Sequence, residues 1–242
     1  MKINENNDVS LDFFYKNRVK VYQNKKGYRF SVDSPILADF VTGSDESGLE
    51  IGSGSGIISF LLLYKNKFPF ITGIEIQKKL YDLSRQSIIE NNKTEKFTVI
   101  NGDFNELFEN FSGIKTIFSN PPYLQTNIGR LSKNQEVRKA KFETALKLSQ
   151  ILKKSYKILG DRGSLFLILP FSRYEELTSI SGKTGFHLAK LRRILSFKDS
   201  KPERFLIQLT NYECVFTEIS PLVIYRTAGI YSDEMEKIFS GR

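Results

Sequence analysis

Glu50-Ile51-Gly52-Ser53-Gly54-Ser55-Gly56 lies between two apolar segments of different length. Residues 49–51 have the apolar character of a buried strand, and residues 57–65 have the length and composition of a helix. Glycines between a strand and a helix allow the backbone angles of a tight turn and the close approach of a ligand. The stretch therefore predicts the first strand, a ligand-binding loop and the first helix of an α/β domain.

Downstream of this loop, short apolar runs alternate with helical patterns, which is typical of a parallel sheet with helical crossovers. The pattern then changes to two long strand-like runs around Asp199-Ser200-Lys201-Pro202, which favours an antiparallel hairpin. We predict a Rossmann-like α/β fold with a mostly parallel seven-stranded sheet and an antiparallel hairpin at its C-terminal end. The predicted strands cover residues 49–51, 70–76, 97–101, 115–119, 164–169, 186–197 and 205–216, and the predicted helices cover 57–65, 77–92, 142–159 and 171–184.

The bulk composition agrees with a single folded domain. Of the 242 residues, 40% are apolar and 26% are charged, which is enough apolar surface for a sizeable core. The longest apolar run, residues 57–64, is too short to span a bilayer, so we expect a soluble, cytoplasmic protein without a membrane partner. Residues 1–47 are expected to be an N-terminal extension to a domain formed by residues 48–242. The single cysteine, Cys214, lies in an apolar run and is predicted to be a buried, inert thiol.

The glycine loop is compatible with either NAD or S-adenosylmethionine. The dinucleotide pattern G-x-G-x-x-G would require glycine at position 57, where Ile57 stands, whereas G-x-G-x-G matches the methyltransferase form. Glu75 ends the second predicted strand, where an acid can accept hydrogen bonds from both ribose hydroxyls. Asp103 follows the third strand, where its carboxylate can accept the adenine amino group while Phe104 packs on the ring. Acidic residues at the ends of successive strands favour S-adenosylmethionine as the cofactor.

The fourth predicted strand ends in Ser119-Asn120-Pro121-Pro122-Tyr123. Proline has a fixed φ and no backbone N–H, so this loop is rigid and rich in acceptors. An exocyclic amine is a poor nucleophile because its lone pair is delocalised into the ring. The Asn120 side chain and the Pro121 carbonyl can accept both N–H bonds, and Tyr123 can stack on the base. We predict that Asn120, Pro121 and Tyr123 form a catalytic loop that needs neither a general base nor a metal.

The basic residues are unevenly distributed. The formal net charge is +9, and residues 130–162 contain ten Lys or Arg against three acidic residues, while residues 183–204 contain seven against two. A basic surplus concentrated in this way indicates attraction to a polyanion, and the first segment begins soon after Tyr123. We therefore predict a nucleic-acid partner, and RNA in particular, because Tyr123 can stack only on a base that has left its neighbours, which costs least in an unpaired loop. Its expected contacts are Arg130, Lys133, Arg138, Lys139, Lys141, Lys198, Lys201 and Arg204.

Together these motifs resemble the signature of class I amino methyltransferases, which act on adenine, guanine or glutamine amide nitrogens. Residues 27–38, with the sequence GYRFSVDSPILA, resemble the stretch before the glycine loop in the family that methylates adenine 37 of valine tRNA. Residues 221–225 and 229–232 are similar to that family's ending. The resemblance implies that Arg29 and Asp33 lie at the mouth of the cofactor site, capped by the 1–47 extension. The implied cofactor-binding set is Arg29, Asp33, Glu50, Gly52, Gly54, Gly56, Glu75, Ile76, Asp103, Phe104 and Asn120.

Several alternatives remain open on the sequence alone. A glutamine-amide methyltransferase of a release factor has the same catalytic loop, but such enzymes carry a helical N-terminal domain for which 47 residues give little room. DNA adenine methyltransferases generally need a further target-recognition domain. An rRNA purine methyltransferase is a third enzyme, and an RNA-binding module on an inactive methyltransferase fold is a non-enzymatic reading. The intact glycine loop, Glu75, Asp103 and Asn120 speak against the inactive module.

Overall fold

The computed structural model describes residues 8–26, 31–121 and 146–241. At its centre is an eight-stranded sheet with the strand order β5-β4-β3-β6-β7-β9-β8-β10. Its strands are β3 (Gly48–Ile51), β4 (Ile71–Glu75), β5 (Phe97–Asn101), β6 (Ile114–Ser119), β7 (Leu159–Pro170), β8 (His187–Leu195), β9 (Pro202–Thr210) and β10 (Thr217–Val223). Two smaller sheets pair β1 (Val9–Phe14) with β2 (Val19–Asn24), and β11 (Tyr225–Thr227) with β12 (Ile230–Tyr231). The helices are α1 (Asp33–Phe40), α2 (Ile57–Tyr64), α3 (Lys78–Glu90), α4 (Phe104–Leu107), α5 (Leu148–Ile158), α6 (Tyr174–Thr184) and α7 (Asp233–Ser240).

The predicted fold class is confirmed. Strands β3 to β7 run parallel, and β9 is antiparallel to both β7 and β8. The chain runs outward from β3 through β4 to β5 and then returns to place β6 on the other side of β3. This reversal of strand order lies between β3 and β6, and it opens a crevice at their carboxyl ends, where ligands bind in open α/β sheets.

The sheet has one strand more than the seven predicted. Strand β10 pairs in parallel with β8 at the edge of the sheet, and only Leu222 of it is buried, so its sequence has little of the apolar pattern of a core strand. Pro221 lies within this strand, and an edge strand tolerates proline because one of its sides has no hydrogen-bonding partner. The weak pattern explains why the strand was not predicted.

The boundaries of strand β9 and helix α5 differ from the predicted ones. Strand β9 ends at Thr210 and not at residue 216, because the Asn211 side chain bonds to Gly163 N and Gly160 O at 2.8 and 2.9 Å. The residues that follow leave the sheet, and Cys214 is exposed, so the prediction of a buried thiol is wrong. Helix α5 begins at Leu148 because Lys147 is extended, with a ψ of 142°. The predicted start of this helix, at residue 142, lies outside the described residues.

Two apolar clusters fill the space above and below the sheet, and alternate strand residues face them. In β6 and β7, for example, Phe118 and Phe166 belong to one cluster, whereas Ile117 and Leu165 belong to the other. The first cluster joins α1, α2, α3, α7 and the β1–β2 hairpin, and the second joins α4, α5 and α6. Among the residues described, none of the helices combines the length and apolarity needed to cross a membrane.

The β1–β2 hairpin belongs to the extension that precedes β3. Side chains at α3 form hydrogen bonds with the edge of β2 that is not paired with β1. Lys20 N donates to Asn91 Oδ1 at 2.9 Å, and Asn91 Nδ2 donates to Lys20 O at 2.6 Å. Tyr22 N donates to Ser87 Oγ at 2.9 Å. Backbone groups of β2 that would otherwise need another strand are thereby paired, and the hairpin is held to the domain.

Replacing Asn91 by alanine tests this attachment. Asn91→Ala should lower the free energy of unfolding by about 1 to 3 kcal/mol, because the backbone N–H and C=O of Lys20 lose their partner. Urea denaturation measures the change, and the exposed Asn110→Ala is the control. A loss in Asn91→Ala no larger than in the control would contradict the attachment.

Candidate active site

The glycine loop spans the carboxyl end of β3 in a conformation that only glycine adopts readily. Gly52, Gly54 and Gly56 have φ values of 70°, 57° and 85°. The backbone N–H groups of Gly52 and Ser53 donate to Ile74 O at 2.9 and 3.0 Å. A Cβ atom on Gly56 would lie 2.8 Å from the Phe97 ring and from Ser84 Oγ. The loop is therefore fixed to β4 on one side and closely packed on the other.

Glu75 ends β4 and holds this loop. Its Oε2 accepts from Gly54 N at 2.8 Å, and its Oε1 accepts from Gln77 N at 2.7 Å. Burial raises the pKa of Glu75, and the two backbone hydrogen bonds oppose that rise. Asn101, at the end of β5, donates through Nδ2 to Glu75 O at 2.8 Å. Sequence reasoning missed Asn101, although an amide side chain at the end of a neighbouring strand is a detectable signal.

Glu50 lies at the floor of the crevice and is completely buried. Its Oε2 accepts a short hydrogen bond from Ser59 Oγ of α2. Burial, with a smaller contribution from nearby Glu75, raises the pKa of Glu50 to about 8, while the hydrogen bonds from Ser59 oppose the rise. Glu50 therefore carries a proton over much of the physiological range, and it can donate as well as accept. Ser59 was not predicted as a site residue.

The residues after β4 and β5 differ in how far they face the crevice. Ile76 is 41% exposed, which makes it an apolar surface beside Glu75. Asp103 Oδ1 accepts from Asn105 N at 2.7 Å and caps α4. Phe104 is only 3% exposed and packs against Phe108 in the core, with ring centroids 6.3 Å apart. The structure thus places the Phe104 ring on the core side of the loop, where it supports Asp103 from behind.

Asn120 and Pro121 follow directly after β6, opposite the glycine loop. Ser119 Oγ donates to Ile51 O at 2.7 Å, which joins the ends of β6 and β3 across the crevice. Ser119 and Pro121 are buried, whereas Asn120 is partly exposed. The predicted catalytic loop therefore begins at a strand end that is fixed to the predicted cofactor loop. Pro122 and Tyr123 lie outside the described residues.

A cleft between the ends of β3 and β6 is lined by some of these residues. It has an empty volume of about 240 Å³, which includes its open side. Four of the predicted residues, Glu50, Gly52, Gly54 and Asn120, line it. The lining also includes residues that were not predicted as site residues, namely Ser34, Ser53, Ser55, Ile57 and Ile58. Glu75 reaches the cleft through its hydrogen bond to Gly54.

Asp33 and Arg204, which were predicted to have separate roles, form an ion pair. Asp33 begins α1, immediately before the cleft residue Ser34, and its Oδ1 lies 3.2 Å from Arg204 Nε. Burial raises the pKa of Asp33, and Arg204 and Ser31 oppose that rise while Glu203 adds to it. Arg204 was predicted to contact RNA, and in the structure its guanidinium pairs with buried Asp33. The pair links α1 to the start of β9.

The remaining predicted residues are Arg29 at the cofactor mouth and the basic residues Arg130, Lys133, Arg138, Lys139 and Lys141, all of which lie outside the described residues. Lys198 and Lys201 are exposed in the turn between β8 and β9. Within residues 8–26, 31–121 and 146–241, no group of three or more His, Cys, Asp or Glu side chains could hold a metal ion.

Curated relatives match most of the chain, although no family model does. The tRNA1(Val) (adenine(37)-N6)-methyltransferase of Vibrio campbellii is 23% identical over 219 residues, which cover 90% of each protein. The protein of that name from Aliivibrio fischeri is 27% identical over 190 residues, covering 78% of this chain and 79% of the relative. The resemblance predicted from the motifs is confirmed by these relatives.

Solved structures share the fold. A predicted O-methyltransferase, Atu636 from Agrobacterium tumefaciens, has a TM-score of 0.65 and 14% identity, covering 86% of this chain and 96% of that one. M. jannaschii TYW2 in complex with AdoMet has a TM-score of 0.58 and 14% identity, covering 88% and 90% of the two chains. The fold is that of class I S-adenosylmethionine-dependent methyltransferases.

The pKa of Glu50 predicts a pH-dependent stability. A carboxyl group whose pKa rises from 4.5 in the unfolded chain to about 8 in the fold stabilises the protein below pH 4.5, and this contribution is lost as the pH rises through 8. Glu50→Gln removes the ionisation. Relative to wild type, the variant should therefore gain on the order of a few kcal/mol in unfolding free energy between pH 6 and pH 9. Denaturant titrations at several pH values measure this gain.

The exposed Glu95→Gln is the matched control for this measurement. If the difference between Glu50→Gln and wild type stayed constant from pH 6 to pH 9, Glu50 would be ionised throughout that range. The buried, protonated carboxyl would then be refuted.

Proposed function

We propose that this protein transfers a methyl group from S-adenosylmethionine to the exocyclic N6 nitrogen of an adenine in tRNA. The observation that carries the proposal is the cleft between the ends of β3 and β6, lined by the glycine loop on one wall and by Asn120 on the other. A cofactor loop and an acceptor loop on opposite walls fit a direct transfer between two bound molecules.

We infer the identity of the acceptor from the names of the relatives. Proteins that match 78% to 90% of this chain are named for adenine 37 of tRNA1(Val), and this shared name supports tRNA adenine as the substrate.

The described residues fit S-adenosylmethionine. The glycine loop leaves open space at Gly52, where an added Cβ would meet nothing within 4 Å, so a ligand can approach the backbone there. We place the ribose hydroxyls at Glu75, the adenine between Ile76 and Asp103, and the amino acid part near Glu50 and Asn120. When bound, the cofactor supplies a methyl group on a positively charged sulfur. Arg29, Asp33 and the extension complete our proposal as the cap of this site.

The protein's own contribution to the chemistry is the orientation of the acceptor amine. Asn120 Oδ1 and the Pro121 carbonyl accept the two N–H bonds of the amine, which draws the nitrogen lone pair out of conjugation with the ring. Tyr123 stacks on the base and holds it in line. Holding two reactants in this way can lower the barrier by on the order of 7 to 11 kcal/mol. The amine becomes acidic once it is methylated, so its proton leaves without a dedicated base.

The RNA contacts in this proposal come from two basic segments. Lys198 and Lys201 lie in the exposed turn between β8 and β9, on the same edge of the sheet as Asn120. Arg130, Lys133, Arg138, Lys139 and Lys141 belong to the segment that begins soon after Tyr123, and we propose that they contact RNA backbone near the site. Each phosphate contact should add roughly 0.7 to 0.9 to the slope of log affinity against log salt.

A comparative methylation assay tests the function. Wild-type protein with labelled S-adenosylmethionine should methylate total tRNA, and the product after digestion should be N6-methyladenosine. Total rRNA and a release-factor protein are offered in parallel. Efficient labelling of the release factor with none of the tRNA at low salt would overturn the proposal in favour of a glutamine amide.

Asn120→Ala tests the catalytic loop. Turnover should fall at least about a hundredfold, because loss of one preorganised polar partner commonly costs roughly 3 to 4 kcal/mol. The affinity for S-adenosylhomocysteine should stay within a few-fold by titration calorimetry. Asn120→Asp keeps an acceptor oxygen and should retain more activity, and the exposed Asn110→Ala is the control. Near-normal turnover in Asn120→Ala would refute the assigned role.

Glu75→Ala tests the cofactor site. The affinity for S-adenosylhomocysteine should fall by about ten- to a hundredfold, since hydrogen bonds to a charged group contribute roughly 1.5 to 3 kcal/mol. In Glu75→Gln the affinity should fall less, because one acceptor oxygen remains. The exposed Glu106→Ala is the control and should bind S-adenosylhomocysteine like wild type. Binding of NAD in place of S-adenosylhomocysteine would exclude the cofactor that we propose.

A further inference from the structure

Few large apolar side chains are exposed among the described residues, and only some of them lie near the cleft. Among the described residues the large ones are Phe13, Ile76, Ile89, Tyr156, Phe197, Val215, Phe216 and Ile230. The strand directions place Ile76 and Phe197 at the carboxyl edge of the sheet, together with the cleft. Of these two, Phe197 has an aromatic ring.

Phe197 stands in the turn that joins β8 to β9, and this turn is tightly bonded. Phe197 N donates to Ser200 Oγ at 3.1 Å, and Ser200 Oγ donates to Phe197 O at 2.8 Å. Ser196 Oγ donates to Glu203 Oε1 at 2.7 Å, and Tyr225 N donates to Ser196 O at 2.9 Å. The backbone that carries the ring is therefore held in one position.

A row of aromatic rings supports Phe197 from behind. Its ring centroid lies 5.8 Å from that of Tyr225, which stacks on Tyr231 at 5.2 Å. Tyr231 in turn packs on Phe239 of α7 at 4.9 Å. Phe197 nevertheless keeps 41% of its surface exposed. A ring that is fixed on one side and open on the other loses little conformational freedom when a flat ligand stacks on it.

The charges around Phe197 favour an anionic partner. Lys198 and Lys201 are exposed in the same turn. The acidic side chains nearby are Asp199, which is exposed, and Glu203, which is engaged by Ser196 and lies 3.9 Å from Arg204. Arg226, on the adjacent β11–β12 hairpin, pairs with Asp233. An exposed aromatic ring beside basic side chains is a combination by which proteins hold single-stranded nucleic acid.

The distance to the cleft suits a neighbouring nucleotide. The turn connects β9 and β8, which are two and three strands away from β6 in the sheet. At 4.7 to 4.9 Å per strand, these two strands are separated from β6 by roughly 10 to 15 Å across the sheet. This is about three to four stacked nucleotides at 3.4 Å each.

We propose that Phe197 is a stacking platform for an unpaired base of the substrate RNA, a few nucleotides from the methylated adenine, and that Lys198 and Lys201 contact the adjoining phosphates. The inference rests on the proposed function and adds a second contact point for the RNA strand. Unpaired loop bases can stack on aromatic side chains because they have left their neighbours. Each such base contributes roughly a 5- to 150-fold factor in affinity.

The test compares Phe197→Ala with Phe216→Ala. Phe216 is a matched control, since it is 45% exposed but lies at the opposite edge of the sheet. Phe197→Ala should raise the KM for tRNA about tenfold or more and weaken tRNA binding in fluorescence anisotropy by a similar factor. The affinity for S-adenosylhomocysteine should not change. Phe216→Ala should behave like wild type, and Phe197→Tyr should restore binding because stacking needs the ring.

Phe197→Leu covers the case in which the alanine variant fails to fold. Leucine keeps apolar contact with Tyr225 but has no flat face, so the folded leucine variant should also lose tRNA affinity. A Lys198→Glu, Lys201→Glu double variant should reduce the salt slope of tRNA binding by about 0.7 for each lost contact.

Two results would overturn the inference. The first is a KM and a tRNA affinity in Phe197→Ala within twofold of those in Phe216→Ala. The second is a loss of self-association in Phe197→Ala with unchanged tRNA affinity, which would make this surface a protein interface. If the wild-type protein bound tRNA but methylated only another acceptor, the proposed function would be wrong. The anisotropy comparison of Phe197→Ala with Phe216→Ala would still test whether Phe197 contacts RNA.

Discussion

The site depends on one carboxylate that holds a loop of glycines in place. Glu75 accepts from the backbone of Gly54 on one oxygen and from that of Gln77 on the other, at 2.8 and 2.7 Å. The first bond fixes the loop after β3, and the second fixes the start of α3. Because burying a carboxylate is costly, these bonds also compensate for its desolvation. The same group thus shapes the glycine loop and is itself stabilised by the backbone of that loop.

The two walls of the cleft are joined at their base. The bond from Ser119 Oγ to Ile51 O ties the end of β6 to the end of β3, so Asn120 and Gly52 start from a common anchor. Positional precision of this kind matters for a transfer between two bound molecules, because small displacements of either reactant raise the barrier steeply. Arg204 adds a third tie through Asp33, since it connects the strand after the Phe197 turn to the helix that carries Ser34.

Sequence patterns predicted the parts of the protein that depend on local chemistry. The strands β3 to β6 and the glycine loop were found because apolar runs and glycines have direct backbone consequences. Pairings between distant segments could not be found in this way. The ion pair of Asp33 with Arg204 joins residues 171 positions apart, and no spacing rule connects them. The burial of Phe104 in the core and the pairing of β10 with β8 likewise depend on neighbouring residues that are distant in sequence.

The β1–β2 hairpin has a consequence for the order in which the chain can close. The backbone groups of β2 that face away from β1 form hydrogen bonds with the side chains of Ser87 and Asn91, where another sheet would have a third strand. These partners lie 65 and 71 residues further along the chain. In a chain synthesised from its N-terminus, β2 therefore presents unpaired backbone groups until α3 has emerged and packed. During that interval strands of other molecules can pair with the hairpin. Once α3 has formed and packed, its side chains occupy the backbone groups of β2 and this pairing is no longer possible.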